Sequence, residues 1–316
     1  MSASAGGGGT LNEQAGLALL RALEALEYAF VPVTPETHKR VVARPEKSGA
    51  RDLRDVFGWS LEFDEDLLSC DLFVTLRDGG LVERRGGRWK SKVRASTVAG
   101  RLFLHSAFPT VEADSVFLGP DSLRFAGFLD AELDSVPRAR RLIDIGAGAG
   151  VGGIVAAARL PGAAVELIDV NEKAFGFARA NAAHAGVPVA TYRSDGVDAV
   201  APGFDLAIAN PPFIIDEGGP AYRAGGGMHG AELSLEWALS AAAKLAPGGR
   251  MLLYTGSAIV AGRDALREAL ERELPVLGCT LVYREIDPDI FGEELERPAY
   301  RDVERIAAVG AVIAKD

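Results

Sequence analysis

Four consecutive residues, Asn210-Pro-Pro-Phe213, have the types that could hold a nitrogen atom for reaction. An amide or aryl amine is a poor nucleophile because its lone pair is delocalised. Two acceptors on its N–H groups can draw that lone pair out of conjugation, and the Asn210 side-chain oxygen and the Pro211 carbonyl can be those acceptors. The prolines make the turn stiff, since Pro211 keeps Asn210 out of the helical region and Pro212 fixes its own φ. Phe213 can stack on a planar amide or base.

An Asn-Pro-Pro sequence is also a common turn without any chemical role. Here it directly follows residues 204–209, a short apolar segment that is predicted to be a strand. In open parallel sheets, ligands bind beyond the carboxyl ends of the strands, where the strand order reverses. This position favours the functional interpretation of the turn.

A second candidate site is the glycine-rich stretch that follows residues 142–145. The apolar run before it and the Ala-rich run from Ile154 to Arg159 after it predict a buried strand, a tight turn and a helix. Glycines let the backbone approach a ligand, and the first amides of the helix point into the turn. Several nucleotide-like ligands use such a turn, so the turn alone leaves the ligand open.

Two patterns can be found in these glycines. Gly148-x-Gly150-x-x-Gly153 satisfies a dinucleotide pattern, with Asp169 at about the expected spacing of ~20 residues. The first glycine after the strand is Gly146, however, and counting from it places the third dinucleotide glycine on Val151. The register therefore argues against a dinucleotide.

The repeat Gly146-x-Gly148-x-Gly150, with Asp144 ahead of it, resembles motif I of class I S-adenosylmethionine (SAM) methyltransferases. In that family the acid helps hold the methionine part of SAM. A second predicted strand that ends in Asp169, placed to hydrogen-bond a ribose, also favours SAM over a nicotinamide cofactor. The resemblance implies that SAM, and its product S-adenosyl-L-homocysteine, would be bound by Asp144, Gly146, Ala147, Gly148, Gly150, Asp169, Val170, Asn171, Ser194, Asp195 and Asn210.

From about Val116 onwards the chain is similar to the small-domain methyltransferases, in particular to those that methylate a protein glutamine. The segment 115–123 resembles one that lies across the cofactor and target pocket in those enzymes. This chain departs from those enzymes at two places. They usually have Tyr at the position of Phe213, whereas Phe is common there in relatives that methylate a guanine amino group in ribosomal RNA. They also have an acid in the strand where this chain has Tyr254-Thr-Gly256.

The resemblance implies a SAM-dependent enzyme that methylates an amide or exocyclic amino nitrogen of a macromolecule, a protein glutamine or an RNA base. The catalytic residues would be Asn210, Pro211, Pro212 and Phe213, and the chemistry needs no metal. A small-molecule N- or O-methyltransferase remains open. So does a protein of another class, which binds SAM or nucleic acid without catalysis.

A chain of 316 residues predicts two domains. The fold class is α/β, with a seven-stranded Rossmann-like sheet whose last strand inserts antiparallel, preceded by a helical, winged-helix-like domain. The boundaries are predicted as a flexible tail at 1–10, a substrate-recognition domain at 11–107, a linker with the segment before the glycine turn at 108–137, and the methyltransferase domain at 138–316.

A helix over residues 64–77 and two strands across Gly86-Gly87 give the first domain its winged-helix likeness. Residues 77–94 contain seven basic residues against Asp78 and Glu83, which makes this hairpin a candidate surface for a polyanion such as RNA. The alternative is a solvated hairpin whose charges prevent aggregation. It is slightly favoured, because the whole chain carries a formal charge of −10.

The same charge argues against general binding to nucleic acid. Cys70 and Cys279 match no metal or redox spacing, and both are predicted to be buried in a reducing compartment. No apolar run approaches the ~18 residues of a membrane span, so we expect a cytoplasmic protein without membrane contact.

Overall fold

A computed structural model describes residues 11–136, 139–215 and 225–316 of the chain. The predicted tail at 1–10, the predicted boundary at 137 and 138, and residues 218–224 of a glycine-rich loop predicted over 218–230 lie outside these ranges.

The first part of the chain is mostly helical and ends in two hairpins. Its helices are α1 (Glu13–Ala25), α2 (Pro35–Val42), α3 (Leu53–Phe57) and α4 (Cys70–Asp78). Its strands are β1 (Val82–Arg85) paired with β2 (Arg88–Ser91), and β3 (Val93–Val98) paired with β4 (Arg101–Ser106), both pairs antiparallel. The two strands predicted across Gly86-Gly87 are therefore β1 and β2.

Helix α4 begins later than the sequence predicts. The Ser69 hydroxyl accepts a hydrogen bond from the Leu72 N–H (3.4 Å), so this serine caps the helix. A 3₁₀ turn at Glu65–Leu67 and the extended residue Leu68 come before it. Cys70, at the first position of α4, is exposed, whereas Cys279 is buried. The prediction that both cysteines are buried is wrong for Cys70.

The second part alternates strands and helices. Its helices are α5 (Pro120–Leu133), α6 (Val151–Arg159), α7 (Glu172–Ala185), α8 (Glu232–Lys244) and α9 (Ala265–Glu273). Its strands are β5 (Arg141–Ile145), β6 (Ala164–Asp169), β7 (Val189–Arg193), β8 (Phe204–Ala209), β9 (Leu245–Val260), β10 (Arg263–Asp264), β11 (Cys279–Asp287) and β12 (Arg305–Lys315).

The strands of this part form one sheet in the order β11-β12-β9-β8-β5-β6-β7, with the two-residue β10 paired to β9. The pairs from β9 through β7 are parallel, whereas β12 is antiparallel to both β9 and β11. The strand order reverses at β5, which has β6 on one side and β8 on the other. The predicted fold class, including the inserted antiparallel strand, is confirmed.

The two parts of the chain share a hydrophobic core. The cluster that contains Leu19 and Leu20 of α1 also contains Ile154 of α6 and Phe177 of α7. Helix α1 can approach α7 closely because Gly16 has no side chain. A Cβ at this position would lie only 3.3 Å from the Ala180 Cβ. The helical part is therefore packed directly on the sheet part.

A single buried side chain, Asn181 of α7, connects this interface to the glycine turn. Its amide oxygen accepts from the Leu104 N–H (2.8 Å), and its amide nitrogen donates to the Leu104 carbonyl (3.0 Å) and to the Ala149 carbonyl (2.9 Å). Strand β4, helix α7 and the turn between β5 and α6 are thus held by one residue.

Replacing this residue tests how strongly the interface depends on it. We expect Asn181→Leu to lower the free energy of unfolding by about 3 kcal/mol or more, because three buried backbone groups lose their partner. Urea unfolding measures this. The matched control in the same helix is Arg179→Gln, whose partly exposed ion pair with Glu13 contributes less than about 1 kcal/mol. Equal effects of the two substitutions would contradict the role of Asn181.

Candidate active site

A cavity of about 660 Å³ lies beyond the carboxyl ends of the central strands, and both parts of the chain line it. The helical part contributes Thr34 and Pro35, at the start of α2. The predicted site residues that line the cavity are Asp144, Gly146, Ala147, Gly148, Asp169, Val170, Asn171, Ser194, Asp195, Asn210, Pro211, Pro212 and Phe213. The structure therefore brings together all but one of the residues that the sequence indicated.

The exception is Gly150, which is not among the lining residues. It has φ 79°, in the left-handed region that favours glycine, and is the residue before α6. A Cβ here would lie 3.3 Å from the Ala178 Cβ. Gly150 thus allows the turn and the start of α6 to form, although it does not line the cavity.

Asp144, at the end of β5, is buried with 2% of its surface exposed. Its Oδ2 accepts a hydrogen bond from the Gly153 N–H in the first turn of α6 (2.7 Å). Burial raises the pKa of this carboxyl to about 7, with a further contribution from the nearby Asp169. The surrounding protein therefore does little to stabilise the ionised form of Asp144.

Asp169, at the end of β6, completes the acidic side of the turn. Its two oxygens accept from the Gly148 N–H and the Asn171 N–H, both at 2.8 Å. Burial raises the pKa of this carboxyl above its usual value, although these backbone donors oppose the shift. Backbone amides that could have bound a phosphate thus already donate to the protein's own carboxylates.

The charge of the whole cavity follows the same pattern. The lining carboxyl groups belong to Asp121, Asp144, Asp169, Asp195, Asp289 and Glu293. Among the described lining residues, the only cationic side chain is Arg124. Such a cavity favours a cationic ligand and disfavours one that carries a pyrophosphate.

Trp237 of α8 lines the cavity and was not indicated by the sequence. Its ring lies on the glycine turn, since a Cβ at Gly146 would be 2.7 Å from the ring. A Cβ at Gly196, next to Asp195, would be 3.3 Å from it. This tryptophan lies far along the chain from both glycines, so no local pattern could have revealed the contact.

The Asn210-Pro-Pro-Phe213 turn forms another wall of the cavity. Asn210 is half-buried and directly follows β8. The Phe213 ring is buried, and the Phe291 ring lies against it edge-on, with ring centroids 5.5 Å apart. A Cβ at Gly256 of β9 would be only 2.3 Å from this ring. Gly256 therefore makes room for the Phe213 ring.

The segment 115–123 also lines the cavity, as its resemblance implied, through Ser115, Val116, Phe117, Pro120, Asp121 and Ser122. The Tyr254 hydroxyl and the Arg124 guanidinium both donate to Oδ1 of Asp121, at 3.0 and 3.4 Å. Burial raises the pKa of the Asp121 carboxyl. Sequence reasoning missed this cluster, because its members come from α5 and β9.

Three of the seven basic residues in the hairpin segment 77–94 form ion pairs with carboxylates. Arg77 pairs with Asp78 (2.9 Å), Arg85 with Glu83 (2.7 Å) and Arg88 with Asp64 (3.4 Å). Arg94 is buried, and Trp89 packs against Phe73 with ring centroids 5.1 Å apart. These contacts favour the structural interpretation of the hairpin over a polyanion surface.

Neither a metal cluster nor a membrane span is found in the part of the chain that the structure describes. No group of three or more His, Cys, Asp or Glu side chains there could hold a metal ion. Within the same ranges, no helix combines the length and the apolar character that crossing a membrane would need.

Comparison with known proteins agrees with the geometry. Residues 126–272 match the family model described as "Methyltransferase small domain". The ribosomal RNA small subunit methyltransferase C of Hahella chejuensis (strain KCTC 2396) is 46% identical over 83 residues, which cover 26% of this chain and 24% of that protein. The release factor glutamine methyltransferase of Koribacter versatilis (strain Ellin345) is 29% identical over 146 residues, which cover 42% and 52%.

The chain thus spans about a quarter to a half of the length of these two relatives. Among solved structures, wild-type Trm5b from Pyrococcus abyssi is similar with a TM-score of 0.51 and 14% identity, over 74% of this chain and 62% of that one, a likeness of fold. The match of residues 126–272 is to the same small-domain methyltransferases that the motifs of this chain resemble.

The raised pKa of Asp144 predicts a pH-dependent stability. Between the usual pKa of 3.8 and about 7, the folded protein holds a proton that the unfolded chain gives up. The contribution of this group to the free energy of unfolding therefore falls as the pH rises through that window. We expect Asp144→Asn, which keeps an acceptor for the Gly153 N–H, to be more stable than wild type at pH 8.

Thermal and urea unfolding from pH 4 to pH 8 measure this difference, which should disappear towards pH 4. Asp198→Asn, on an exposed residue, is the control for the chemical change. A difference between wild type and Asp144→Asn that does not vary with pH would contradict the assignment.

The close approach of Gly256 to the Phe213 ring predicts that a side chain at position 256 would lower the stability of the fold. A methyl group at this position would overlap the ring, so we expect Gly256→Ala to cost about 1–3 kcal/mol of unfolding free energy. Gly127→Ala in helix α5 is the control of opposite sign, because a Cβ there meets nothing within 4 Å and alanine favours a helix by about 0.5–1 kcal/mol. Urea unfolding of both variants measures the effects, and a neutral Gly256→Ala would show that the ring can move freely.

Proposed function

We propose that this protein is a SAM-dependent N-methyltransferase that modifies an amide or exocyclic amino nitrogen of a macromolecule. The observation that supports it is a single cavity with two different walls. One wall is the glycine turn with its buried carboxyl groups, and the other is the Asn210-Pro-Pro-Phe213 turn. The first wall suits a cationic cofactor, and the second suits a nitrogen with N–H groups to donate.

The residues around the glycine turn fit SAM better than a dinucleotide. SAM carries an ammonium and a sulfonium charge, which complement Asp144 and the other carboxyl groups of the cavity. The amides of Gly148 and Gly153 already donate to carboxylates, so a pyrophosphate would meet negative charge instead of free donors. When bound, SAM supplies a methyl group made electrophilic by its sulfonium.

The cofactor-binding roles that the motif predicted remain part of this proposal. Asp144 would hold the cationic methionine part, and Asp169 would face the ribose. Asp195 would meet the adenine end, where Trp237 lies against the neighbouring Gly196. The close approach of this ring to the turn makes it a further wall of the cofactor site.

At the other wall, the protein's role is to hold and orient the acceptor. The Asn210 side-chain oxygen and the Pro211 carbonyl accept the two N–H groups, which directs the nitrogen lone pair towards the methyl group. Proximity and alignment supply most of the rate enhancement in such a transfer. Phe213 borders the planar acceptor, with its own ring fixed between Gly256 and Phe291.

A macromolecular acceptor is supported by the names of the relatives and by the cavity lining, to which both parts of the chain contribute. The two relatives are named as enzymes that act on ribosomal RNA and on a release factor. The helical part reaches the cavity through Thr34 and Pro35, so an acceptor that enters would contact both parts of the chain. A small-molecule acceptor and a non-catalytic binding protein are the alternatives that the experiment must separate.

The test combines calorimetry with labelling. We expect titration with SAM to show binding and titration with NADH to show none. Incubation with methyl-labelled SAM and a cell extract should place the label in protein or RNA. Label only in small molecules would establish the small-molecule alternative, and SAM binding without any transfer would establish the non-catalytic one.

Replacing Asn210 tests whether its side chain takes part in the methyl transfer. We expect Asn210→Ala to keep nearly wild-type SAM affinity, because this side chain faces the acceptor and only borders the cofactor. Turnover should fall by roughly 10²–10³, as when one preorganised polar group aimed at a transition state is removed. Single-turnover transfer at saturating SAM to the fraction that wild type labels measures this. A wild-type rate would mean that the turn is only structural.

A further inference from the structure

A buried carboxylate, Asp121, lies in the wall of the same cavity and has no role in the chemistry described so far. It belongs to the first turn of α5, and 13% of its side chain is exposed. The Tyr254 hydroxyl and Arg124 Nη1 both donate to its Oδ1. Both side-chain donors that the described residues supply bind Oδ1, so Oδ2 has no side-chain donor among them.

The orientation of Asp121 is fixed by groups that cannot easily move. Tyr254 is completely buried, and its hydroxyl is directed at Asp121. Arg124 is held on its other side by Asp287 at the end of β11, with Arg124 nitrogens 3.0 and 3.1 Å from Oδ2 of Asp287. The network therefore connects α5, β9 and β11 around one carboxylate.

The sheet places this network beside the Asn210 turn. Ala209 of β8 is paired with Leu253 of β9, so the next residues along the two parallel strands are Asn210 and Tyr254. Tyr254 thus connects the position next to Asn210 with Asp121. Both the turn and the carboxylate line the one cavity.

We propose that Asp121 is a specificity-determining residue, which accepts a second N–H that lies next to the amino group of the methyl acceptor. This inference rests on the proposed function. A primary amide such as glutamine has N–H groups on a single nitrogen, and Asn210 with Pro211 already accepts both. An additional carboxylate has no N–H to accept there and would lie near the amide oxygen instead.

Among nucleobases, guanine has the matching edge, with a ring N1–H beside its 2-amino group. Adenine and cytosine present an unprotonated ring nitrogen beside their amino groups, and its lone pair would be repelled by a carboxylate. A charge-assisted hydrogen bond in a buried site discriminates strongly. Asp121 therefore selects a guanine over both a glutamine and the other amino-bearing bases.

The test compares guanosine with 2-aminopurine riboside, which keeps the 2-amino group but has an unprotonated N1. Each nucleoside is added as a competitor while the full chain transfers labelled methyl groups from SAM, and the loss of transfer is measured. Calorimetry in the presence of S-adenosyl-L-homocysteine measures the direct binding of each nucleoside. We expect wild type to prefer guanosine by about 10–100-fold, the effect of one hydrogen bond to a charged group. In Asp121→Asn the preference should vanish or invert, since an asparagine amide can donate to the unprotonated N1.

Two further variants separate specificity from folding. Asp66→Asn makes the same chemical change on an exposed residue that is not part of the cavity lining, and should keep the wild-type preference. Tyr254→Phe removes the hydroxyl that orients Asp121, and should reduce the preference while leaving SAM affinity unchanged. Calorimetry with SAM and thermal unfolding show whether each variant is folded.

The outcomes are distinct. Equal preference in wild type and Asp121→Asn, no competition by guanosine at its solubility limit, or stronger competition by N-acetylglutaminamide would each overturn the role of Asp121, and the last would make the acceptor a protein amide. If wild type labels nothing in the extract, the proposed function fails as well. A preference that is lost only on changing Asp121 or Tyr254 supports the assignment.

Discussion

The site depends on burying negative charge where the protein provides little to balance it. Asp144 is almost fully enclosed, and the Gly153 amide is the hydrogen-bond donor that the described residues supply to its side chain. Desolvation of a carboxylate is costly, and the pKa of about 7 expresses that cost. A positively charged ligand would offset this cost, so the binding of such a ligand would recover part of the free energy spent on burying the carboxylate. The enclosure of Asp144 requires the glycines of the turn, because they allow the start of α6 and the neighbouring strand to come close to the acid.

The helical part of the chain contributes to this arrangement although it lies outside the matched family model. Asn181 connects β4 with the carbonyl of Ala149 in the glycine turn. Gly16 permits the close packing of α1 on α7, and the shared core continues into α6. The cavity is therefore built by two sequence regions that fold as one packed body. This packing fixes the position of the helical part, whose Thr34 and Pro35 line the cavity.

Much of the sheet part could be predicted from the sequence, because its signals are local. The strands that carry Asp144 and Asp169 near their ends, the glycine turn, and the strand that precedes Asn210 are each indicated by a few neighbouring residues. The start of α4 was missed because a serine cap outweighs an apolar pattern. Trp237, Gly256 and the Asp121–Tyr254 pair could not be predicted, since each acts through contact with a residue distant in the chain. The family resemblance indicated the segment that contains Asp121, but not which of its side chains would be oriented by a tyrosine.

The inserted strand β12 has a consequence for the order in which the sheet can be completed. It lies between β9 and β11 and is antiparallel to both, yet it is formed by residues 305–315. While the chain is being synthesised, the outer edge of β9 has no neighbour until these residues leave the ribosome. β11, which pairs with β12, also cannot join the sheet before then. An unpaired edge of this length is a site at which another chain can pair, and β12 removes that site when it inserts between β9 and β11.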